Sequence, residues 1–330
     1  MPQPAVIVRT HRGVGNQLFQ FAAATELAQR LDAPIRCDTV ETTDRLLRAC
    51  LGDGWMAPST RELWRCGMLR HPPVLALASR GRRLASRLAR QALGRPPRRF
   101  QPARHDHYDP EFERLAAPCY LIGYFQHQAY WSHAVAPLSA TVVGQLGIDA
   151  GSSGRPIVGV HVRRGDYLRQ GWALDPNYYR RALELVTGEV EGAVLRVVGD
   201  DTTFVEAFRA QLDADGYRTE ADPGPPRHAD AALSDLMRLA ECDHLVLSNS
   251  SYAWWGAALG DHVHRGRTRL VTVPTWWIES ESSEVLCRPD WRPVAGTADP
   301  DGGDETESPP YSDLVEFADW WAATGHVSPP

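Results

Sequence analysis

Two adjacent arginines and an aspartate occur together in the segment His161-Val-Arg-Arg-Gly-Asp-Tyr167. The segment ends an apolar run that predicts a strand, and parallel sheets bind ligands at the carboxyl ends of their strands. Arg163 and Arg164 carry planar guanidinium groups whose donors match phosphate oxygens. With His161 and Asp166 they form the best candidate clamp for a diphosphate. A structural Arg–Asp pair beside a strand end explains the local pattern equally well.

The sequence contains no lysine, since all 35 of its Lys and Arg residues are arginine. Chemistry that depends on lysine, including Schiff-base formation, Walker-type phosphoryl transfer and kinase chemistry, is therefore not expected. A phosphate group bound by this chain has to be held by arginine, histidine, backbone N–H groups or a metal ion.

A second polar segment, Ser248-Asn-Ser-Ser251, leads directly into a predicted helix. The first turn of a helix presents unpaired N–H donors and a partial positive charge, so Asn249, Ser250 and Ser251 are candidates for binding phosphate. N-capping by Ser250 or Ser251 is a simpler explanation, and the two roles are compatible.

Two acidic residues, Asp200 and Asp201, follow Gly199 at the end of another predicted strand. Their carboxylates could chelate Mg²⁺ or accept hydrogen bonds from a ribose or a guanine ring. In isolation, a turn in which one aspartate caps the following helix is the more common explanation.

Near the start of the chain, Gly13-Val-Gly-Asn-Gln17 joins a predicted strand to a predicted helix. The segment matches a dinucleotide-binding fingerprint only superficially, because the third glycine and a well-placed acid after it are missing. It favours a tight turn at which a ligand can approach the backbone.

These segments are positioned by alternating strands and helices. The predicted strands are Ala5–Arg9, Ala33–Cys37, Tyr120–Phe125, Ile157–Val162, Val194–Val198, His244–Leu247 and, last, Leu270–Val273. The predicted helices are Gln17–Leu31, Tyr178–Val186, Thr203–Leu212, Ser234–Glu241 and Tyr252–Leu259. Asp175 and Pro176 suit the N-cap and first position of the second helix, and Ser234 would cap the fourth. The alternation predicts an α/β fold with parallel sheets. The flexible stretch Ala150–Pro156 is the candidate domain boundary.

Charge is unevenly distributed along the chain, whose net charge is −6. Eleven arginines and no acidic residue lie between Glu62 and Asp106, and residues 78–93 have leucines near helical spacing. This pattern predicts a basic amphipathic helix that either lies on an anionic membrane surface or packs on the protein's own core. From Pro293 onward there are eight acids and no arginine. Residues 297–310 are typical of a linker, and residues 311–324 predict a terminal helix.

Several classes of protein are not expected. A pI near 6.1 argues against a general nucleic-acid-binding protein. No apolar run reaches the roughly 18 residues of a transmembrane helix, and the first ten residues lack the apolar core of a secretory signal. The six cysteines are scattered without metal-binding spacing. The sequence therefore predicts a cytoplasmic protein with reduced thiols.

Taken together, the motifs resemble the α-1,2-fucosyltransferase family, a group like glycosyltransferase family 11. The segments that carry the resemblance, in family order, are Arg12-Gly-Val-Gly-Asn-Gln-Leu-Phe-Gln-Phe21, Gly123-Tyr-Phe-Gln-His127, His161-Val-Arg-Arg-Gly-Asp-Tyr167, Tyr178-Tyr-Arg-Arg-Ala182, Val198-Gly-Asp-Asp201, Ser248-Asn-Ser-Ser-Tyr-Ala-Trp-Trp-Gly256 and Val273-Pro-Thr-Trp-Trp277. The family usually has Gly-Gly before the first Asn-Gln turn, whereas here Arg12 replaces the earlier glycine. The tail beyond residue 295 has no counterpart in the family.

The resemblance implies a GT-B-like fold, in which two Rossmann-like domains with parallel sheets face a cleft. Residues 1–150, including the basic segment 65–104, would form the acceptor-side domain. Residues 151–295 would form the donor domain, and residues 296–330 an acidic linker and terminal helix. The implied reaction moves L-fucose from GDP-L-fucose, with inversion, to O2 of a terminal galactoside. No cofactor and no obligatory metal are expected.

The same resemblance assigns roles to the polar segments. The residues expected to bind GDP-fucose are His161, Arg163, Arg164, Asp200, Asp201, Asn249, Ser250 and Ser251. Among them, His161 and one of the two aspartates read the guanine, Arg163 grips the β-phosphate, and the serines hold other phosphate oxygens. Arg164 either joins the phosphate site or pairs with a structural carboxylate.

For catalysis, Arg163 would stabilise the charge that builds on leaving GDP, in place of a metal. Asp166 is the candidate general base because of its proximity to the clamp, with a purely structural role as the alternative. Asn16 would orient the acceptor or the fucose.

The expected acceptor is a galactose-terminated oligosaccharide or a lipid-linked bacterial surface glycan. The basic segment would then hold a cytoplasmic enzyme at the inner membrane surface. Two other functions compete with this interpretation: a GT-B glycosyltransferase that uses another nucleotide sugar, such as GDP-mannose, and a non-enzymatic adaptor that binds membrane or nucleic acid. The second explains neither the His-x-Arg-Arg segment nor the Asn-Ser-Ser segment.

Overall fold

The computed structural model describes residues 3–39, 45–52, 56–66, 68, 98–104, 107–151, 154–220, 226–278 and 283–298. The chain divides into two compact units, Met1–Gln145 and Leu146–Pro330. The division falls five residues before the boundary expected at 150/151. The predicted basic helix 78–93 and terminal helix 311–324 lie outside the described residues, as does the linker beyond Ala298.

The first unit contains a sheet of four parallel strands. Its elements are β1 (Val6–Arg9), α1 (Val14–Leu31), β2 (Ile35–Asp38), α2 (Arg45–Leu51), α3 (Thr60–Arg65), β3 (Arg99–Phe100), β4 (Cys119–Leu121) and α4 (Val135–Leu146), with 3₁₀ turns at Pro110–Arg114 and Gln128–Tyr130. The strand order is β2-β1-β4-β3, and every pairing is parallel. The carboxyl ends of β1 and β4 therefore lie side by side.

Two predicted elements of this unit differ from the structure by three or more residues at one end. Helix α1 begins at Val14 rather than Gln17, because Gly13 takes the extended N-cap conformation. Strand β4 ends at Leu121 rather than Phe125. Gly123 and Phe125 both have positive φ angles, which no regular strand accommodates.

The second unit contains a sheet of five parallel strands. Its elements are β5 (Ile157–Val162), α5 (Gly165–Gln170), α6 (Pro176–Glu189), β6 (Val194–Gly199), α7 (Thr202–Ala214), α8 (Ala231–Ala240), β7 (His244–Val246), α9 (Ser251–Val263), β8 (Val271–Pro274) and β9 (Arg292–Val294), with a 3₁₀ turn at Ser283–Val285. The strand order is β6-β5-β7-β8-β9, again with every pairing parallel. The predicted α/β class with parallel sheets is confirmed.

Local sequence explains how the helices of this unit begin. Asp175 caps α6 by accepting from the N–H of Tyr178, with Pro176 in the first helical position, as predicted. The predicted cap of α8 is wrong: Asp230 caps it, and Ser234 lies one turn inside, where its hydroxyl accepts from the N–H of Arg227. Helix α5 and strand β9 were not predicted.

The start of the predicted tail is attached to the second unit. Thr297 donates from its N–H and its hydroxyl to Asp175 Oδ2, at 3.0 and 2.9 Å. Ala298 forms an antiparallel bridge with Leu174. Residues 296–298, expected to begin the linker, are thus part of the folded unit.

Two further features concern the cysteines and the apolarity of the helices. All six cysteines are free, and burial raises the pKa of the Cys37, Cys119 and Cys242 thiols to about 12. Such thiols are poor nucleophiles at neutral pH. Across the part of the chain that the structure describes, no helix combines the length and apolarity needed to span a bilayer.

Candidate functional site

Three of the predicted segments meet at the carboxyl edge of the second sheet. Strands β6, β5 and β7 are neighbours, and the register pairs Val162 with Gly199 and Val160 with Val246. The segments that follow these strands, 163–167, 200–201 and 248–251, therefore emerge at one edge. This is the edge at which parallel α/β sheets bind their ligands.

Arg163 is held between two carboxylates at this edge. Its Nη2 lies 2.7 Å from Asp166 Oδ1, and its Nη1 lies 3.0 Å from Asp200 Oδ2. Its guanidinium carbon is 5.3 Å from the centre of the Tyr167 ring, a cation–π arrangement. Because the side chain is 32% exposed, a ligand can reach a guanidinium that the protein has already oriented.

The two adjacent aspartates make different contacts. Asp200 Oδ1 accepts from the backbone N–H groups of Arg164 and Gly165, at 2.9 and 3.4 Å, while its other oxygen pairs with Arg163. Asp201 Oδ1 accepts from the N–H of Phe204 at 3.0 Å and caps α7. Asp200 therefore joins the strand-end loop to the arginine, and Asp201 fixes the next helix.

Gly165 is where this loop approaches Asp200 most closely. A Cβ atom placed on Gly165 would lie 2.6 Å from Asp200 Oδ2, closer than side chains pack. Any larger residue at position 165 would collide with the carboxylate that pairs with Arg163, so this position requires glycine. Sequence reasoning missed this requirement, although the glycine stands inside the segment that it singled out.

Arg164 was expected among the donor-binding residues, but its side chain is only 1% exposed. Its guanidinium carbon lies 4.6 Å from the centre of the Phe204 ring, inside the unit. The protein therefore covers the Arg164 guanidinium, and both expected roles, a phosphate contact and a pair with a structural carboxylate, stay predictions.

His161 is buried beside the serine-rich segment. Its Nδ1 and Ser248 Oγ are 2.8 Å apart and share a hydrogen bond, and its ring centre lies 5.6 Å from that of Tyr252. Burial, reinforced by the positive charge of Arg163, lowers the pKa of His161 to about 3. The imidazole is therefore neutral at physiological pH and can both donate and accept a hydrogen bond.

The segment from Ser248 to Ser251 supports the loops around it. Ser250 caps α9, with its hydroxyl accepting from the N–H of Tyr252 at 3.2 Å, and Ser251 is the first helical residue. The Asn249 amide donates to the carbonyl of Trp172 at 2.8 Å and also to the carbonyl of Trp277. Capping is confirmed for Ser250, while Asn249 uses its donors to hold two loops together.

Tyr167 is a further residue of this edge to which sequence reasoning gave no role. Its hydroxyl donates to the carbonyl of Asn249 at 3.4 Å, so it joins the arginine segment to the serine segment. Burial raises its pKa to about 12, which keeps the hydroxyl protonated. No signal in the sequence pointed to this role beyond the presence of Tyr167 at the end of the arginine segment, because helix α5 was not predicted.

Asn16 lies in the first unit, in the first turn of α1. Its Oδ1 accepts from Gln126 Nε2 at 2.9 Å, which places both amides at the carboxyl edge of the first sheet. Arg12, just before this turn, has a φ of 68°, in the left-handed region that favours glycine. Gln17 Nε2 donates to the Arg12 carbonyl at 2.7 Å and holds the turn in place.

A cavity of about 270 Å³ lies at the opposite edge of the second sheet, around residues such as His244, His264 and Arg269. The Arg269 guanidinium is already engaged there, donating to Asp261 at 2.5 Å and to the carbonyls of Ala257 and Cys242. Among the described residues, no three His, Cys, Asp or Glu side chains group closely enough to hold a metal ion. The carboxyl edge therefore remains the candidate site of this unit.

The chain is similar to one protein family and to individual proteins described as glycosyltransferases or fucosyltransferases. The family described as Glycosyl transferase family 11 matches residues 105–294. The O-antigen biosynthesis glycosyltransferase WbnK of Escherichia coli is 23% identical over 138 residues, which are 40% of this chain and 42% of WbnK. The human galactoside alpha-(1,2)-fucosyltransferase 1 is 27% identical over 165 residues, 46% of this chain and 42% of that protein. The match thus spans about two fifths of the length of each relative.

Among solved structures, the fucosyltransferase NodZ from Bradyrhizobium is similar with a TM-score of 0.41. The sequence identity is 14%, and the alignment covers 78% of this chain and 92% of NodZ. The family match includes the three segments at the carboxyl edge of the second sheet and leaves out the Asn16 turn.

Proposed function

Because the chain belongs to glycosyl transferase family 11, we propose that it is an inverting fucosyltransferase that moves L-fucose from GDP-β-L-fucose to O2 of a terminal galactoside. The observation that carries the proposal is the accessible Arg163 at the carboxyl edge of the second sheet, within the matched region. The relatives named galactoside alpha-(1,2)-fucosyltransferase support the choice of sugar and linkage.

In the proposed donor complex, Arg163 binds oxygens of the β-phosphate. Leaving GDP gains negative charge as the bond to fucose breaks, and a fixed guanidinium stabilises that charge without having to reorganise. The arginine supplies the positive charge that a metal ion provides in other transferases, so we propose that no metal is required. Ser251 and the N-terminus of α9, a helix of 13 residues, would hold further phosphate oxygens.

The guanine would be read by His161 and Asp201. The neutral imidazole of His161 has one ring nitrogen left for a ligand beyond its contact with Ser248. Asp201 uses Oδ1 for capping, which leaves Oδ2 to accept from the base. Asp200 is less suited to this role because both of its oxygens already have partners.

Transfer would be a single displacement, with no covalent enzyme intermediate. The acceptor hydroxyl attacks the anomeric carbon of fucose, the bond to the β-phosphate oxygen breaks, and a base takes the hydroxyl proton. We assign the base to Asp166, which is 48% exposed and becomes available once a donor phosphate takes its place on Arg163. Asn16, held by Gln126, would orient the acceptor.

The proposed acceptor is a galactose-terminated glycan of a bacterial surface polysaccharide, free or lipid-linked. The relative named for O-antigen biosynthesis supports this class. The eleven arginines between Glu62 and Asp106 would place the enzyme at an anionic membrane surface. Salt-sensitive binding to liposomes with anionic lipid, but not to neutral ones, is the expected result. Equal behaviour toward both would remove the membrane contact from the proposal.

The direct test is incubation with GDP-fucose and a panel of galactosides, followed by mass spectrometry and linkage analysis. The expected product carries one added fucose, α-linked to O2 of the terminal galactose. GDP-mannose in parallel reactions separates the proposed donor from another GDP-sugar. Transfer of mannose but not fucose, or a linkage to a different oxygen, would refute the assignment.

A further inference from the structure

We propose that Asp166 competes with the donor diphosphate for Arg163. Its carboxylate pairs with the same guanidinium nitrogen, Nη2, that a phosphate oxygen contacts when the donor binds. Asp200 remains the permanent partner of Arg163 throughout. The proposal rests on the GDP-fucose activity proposed above and identifies how that site exchanges one anion for another.

The two carboxylates on Arg163 are not equivalent. Asp200 is 23% exposed and is fixed by two backbone N–H groups, so moving it would break the strand-end loop. Asp166 is 48% exposed, and its carboxylate pairs with Arg163 Nη2, at 2.7 Å. It lies three residues after Arg163 on the first turn of α5, where a rotamer change suffices to release it.

Exposed ion pairs at this spacing are weak, which makes exchange feasible. Such a pair contributes little to stability because solvent screens the charges and both side chains lose rotamer freedom. A diphosphate offers the same guanidinium more negative charge and can bind it through two parallel hydrogen bonds. The donor therefore displaces Asp166 while Asp200 keeps the guanidinium plane in place.

The exchange has a mechanistic consequence. While Asp166 pairs with Arg163, its carboxylate is engaged and is not directed at an acceptor hydroxyl. When the donor phosphate takes its place, the released carboxylate can accept a proton from a hydroxyl beside the clamp. Donor binding and the availability of the base are thus coupled through one guanidinium.

The test compares GDP binding by calorimetry for the wild-type protein and three Asp→Asn variants. Asp166→Asn removes the competitor and should bind GDP about two- to fivefold more tightly, with a smaller advantage at high salt. Asp200→Asn removes the same charge next to the same arginine but also its support, and should bind GDP more weakly. Asp235→Asn, which removes the carboxylate of another i,i+3 pair with Arg238, is the matched control and should equal wild type.

The results of these titrations separate the competitor role of Asp166 from the proposed function. Unchanged or weaker GDP binding by Asp166→Asn overturns the competitor role and leaves the proposed function standing. Equal tightening by Asp166→Asn and Asp200→Asn also overturns it, because a general charge effect would then explain both. Failure of the wild-type protein and all variants to bind GDP would refute the proposed function itself, and the competitor with it.

Discussion

Replacing Gly165 with alanine tests the geometry of the clamp without touching a residue that would contact the donor. The new Cβ would lie 2.6 Å from Asp200 Oδ2, whereas ordinary contacts begin near 3.4 Å. The carboxylate must therefore move by about 0.8 Å. That shift weakens its 3.0 Å contact with Arg163 and its bonds to the loop N–H groups.

The expected effects on catalysis and on stability differ. Misplacement of a positioning group by about 1 Å costs on the order of 100-fold in rate, or about 2.7 kcal/mol of transition-state stabilisation. The free energy of unfolding should change by less than about 2 kcal/mol, because alanine is a better helix former than glycine and offsets part of the weakened hydrogen bonding. Gly165→Ala should thus remain folded while losing most of its activity.

The assay measures kcat/KM for GDP-fucose and unfolding in urea for each variant. Gly188→Ala is the control, since a Cβ there meets nothing within 4 Å and the residue lies in α6, away from the clamp. It should keep wild-type kinetics and gain up to about 1 kcal/mol of stability. If Gly165→Ala retained kcat/KM within about threefold of wild type, Asp200 would not be positioning Arg163.

Three further predictions concern stability. The pKa of His161 is lowered to about 3, so the unfolded chain binds a proton that the folded chain excludes as the pH falls from about 6.5. The unfolding free energy should decrease with acidification by up to about 1.4 kcal/mol per pH unit. His161→Gln should remove this contribution to the pH dependence of the unfolding free energy, measured by urea titrations at several pH values. An unchanged pH dependence would contradict the burial argument. Arg12→Gly should raise the unfolding free energy by roughly 0.5–1 kcal/mol because φ is 68° there, and a loss of stability would show that the arginine side chain compensates. Asn249→Asp should cost at least about 2 kcal/mol in urea unfolding, since a carboxylate would face two carbonyls, and wild-type stability would rule out the loop-holding role.

Sequence predicted the second unit well where strands are fully buried. Strand Ile157–Val162 has the same limits in the prediction and in the structure, because an uninterrupted apolar run flanked by turn residues has few other favourable structures. Strand β9 was missed because it is three residues long and contains Pro293, which is tolerated only at a sheet edge. The choice between Ser234 and Asp230 as a cap was not decidable locally, since both residue types cap helices well.

Within the candidate site, the sequence identified the segments but not the different contacts that neighbouring residues make inside them. Arg163 and Arg164 are adjacent and chemically identical, yet one is 32% exposed and the other is buried over Phe204. Asp200 and Asp201 differ in their contacts, because Asp200 pairs with Arg163 and Asp201 caps α7. The contacts that each member of a pair makes depend on where the strand ends and how the chain turns, and those are tertiary features that no motif records.

The rate of fucose transfer by Arg163→Ala tests the central claim most directly. We expect the variant to fold, because the side chain is partly exposed and contacts Asp166, Asp200 and the Tyr167 ring at the edge of the site. We expect it to lose transfer from GDP-fucose to galactosides. Urea unfolding of the same preparation shows that the loss is not one of folding. Turnover close to that of the wild-type enzyme would contradict the assignment of Arg163 as the diphosphate clamp.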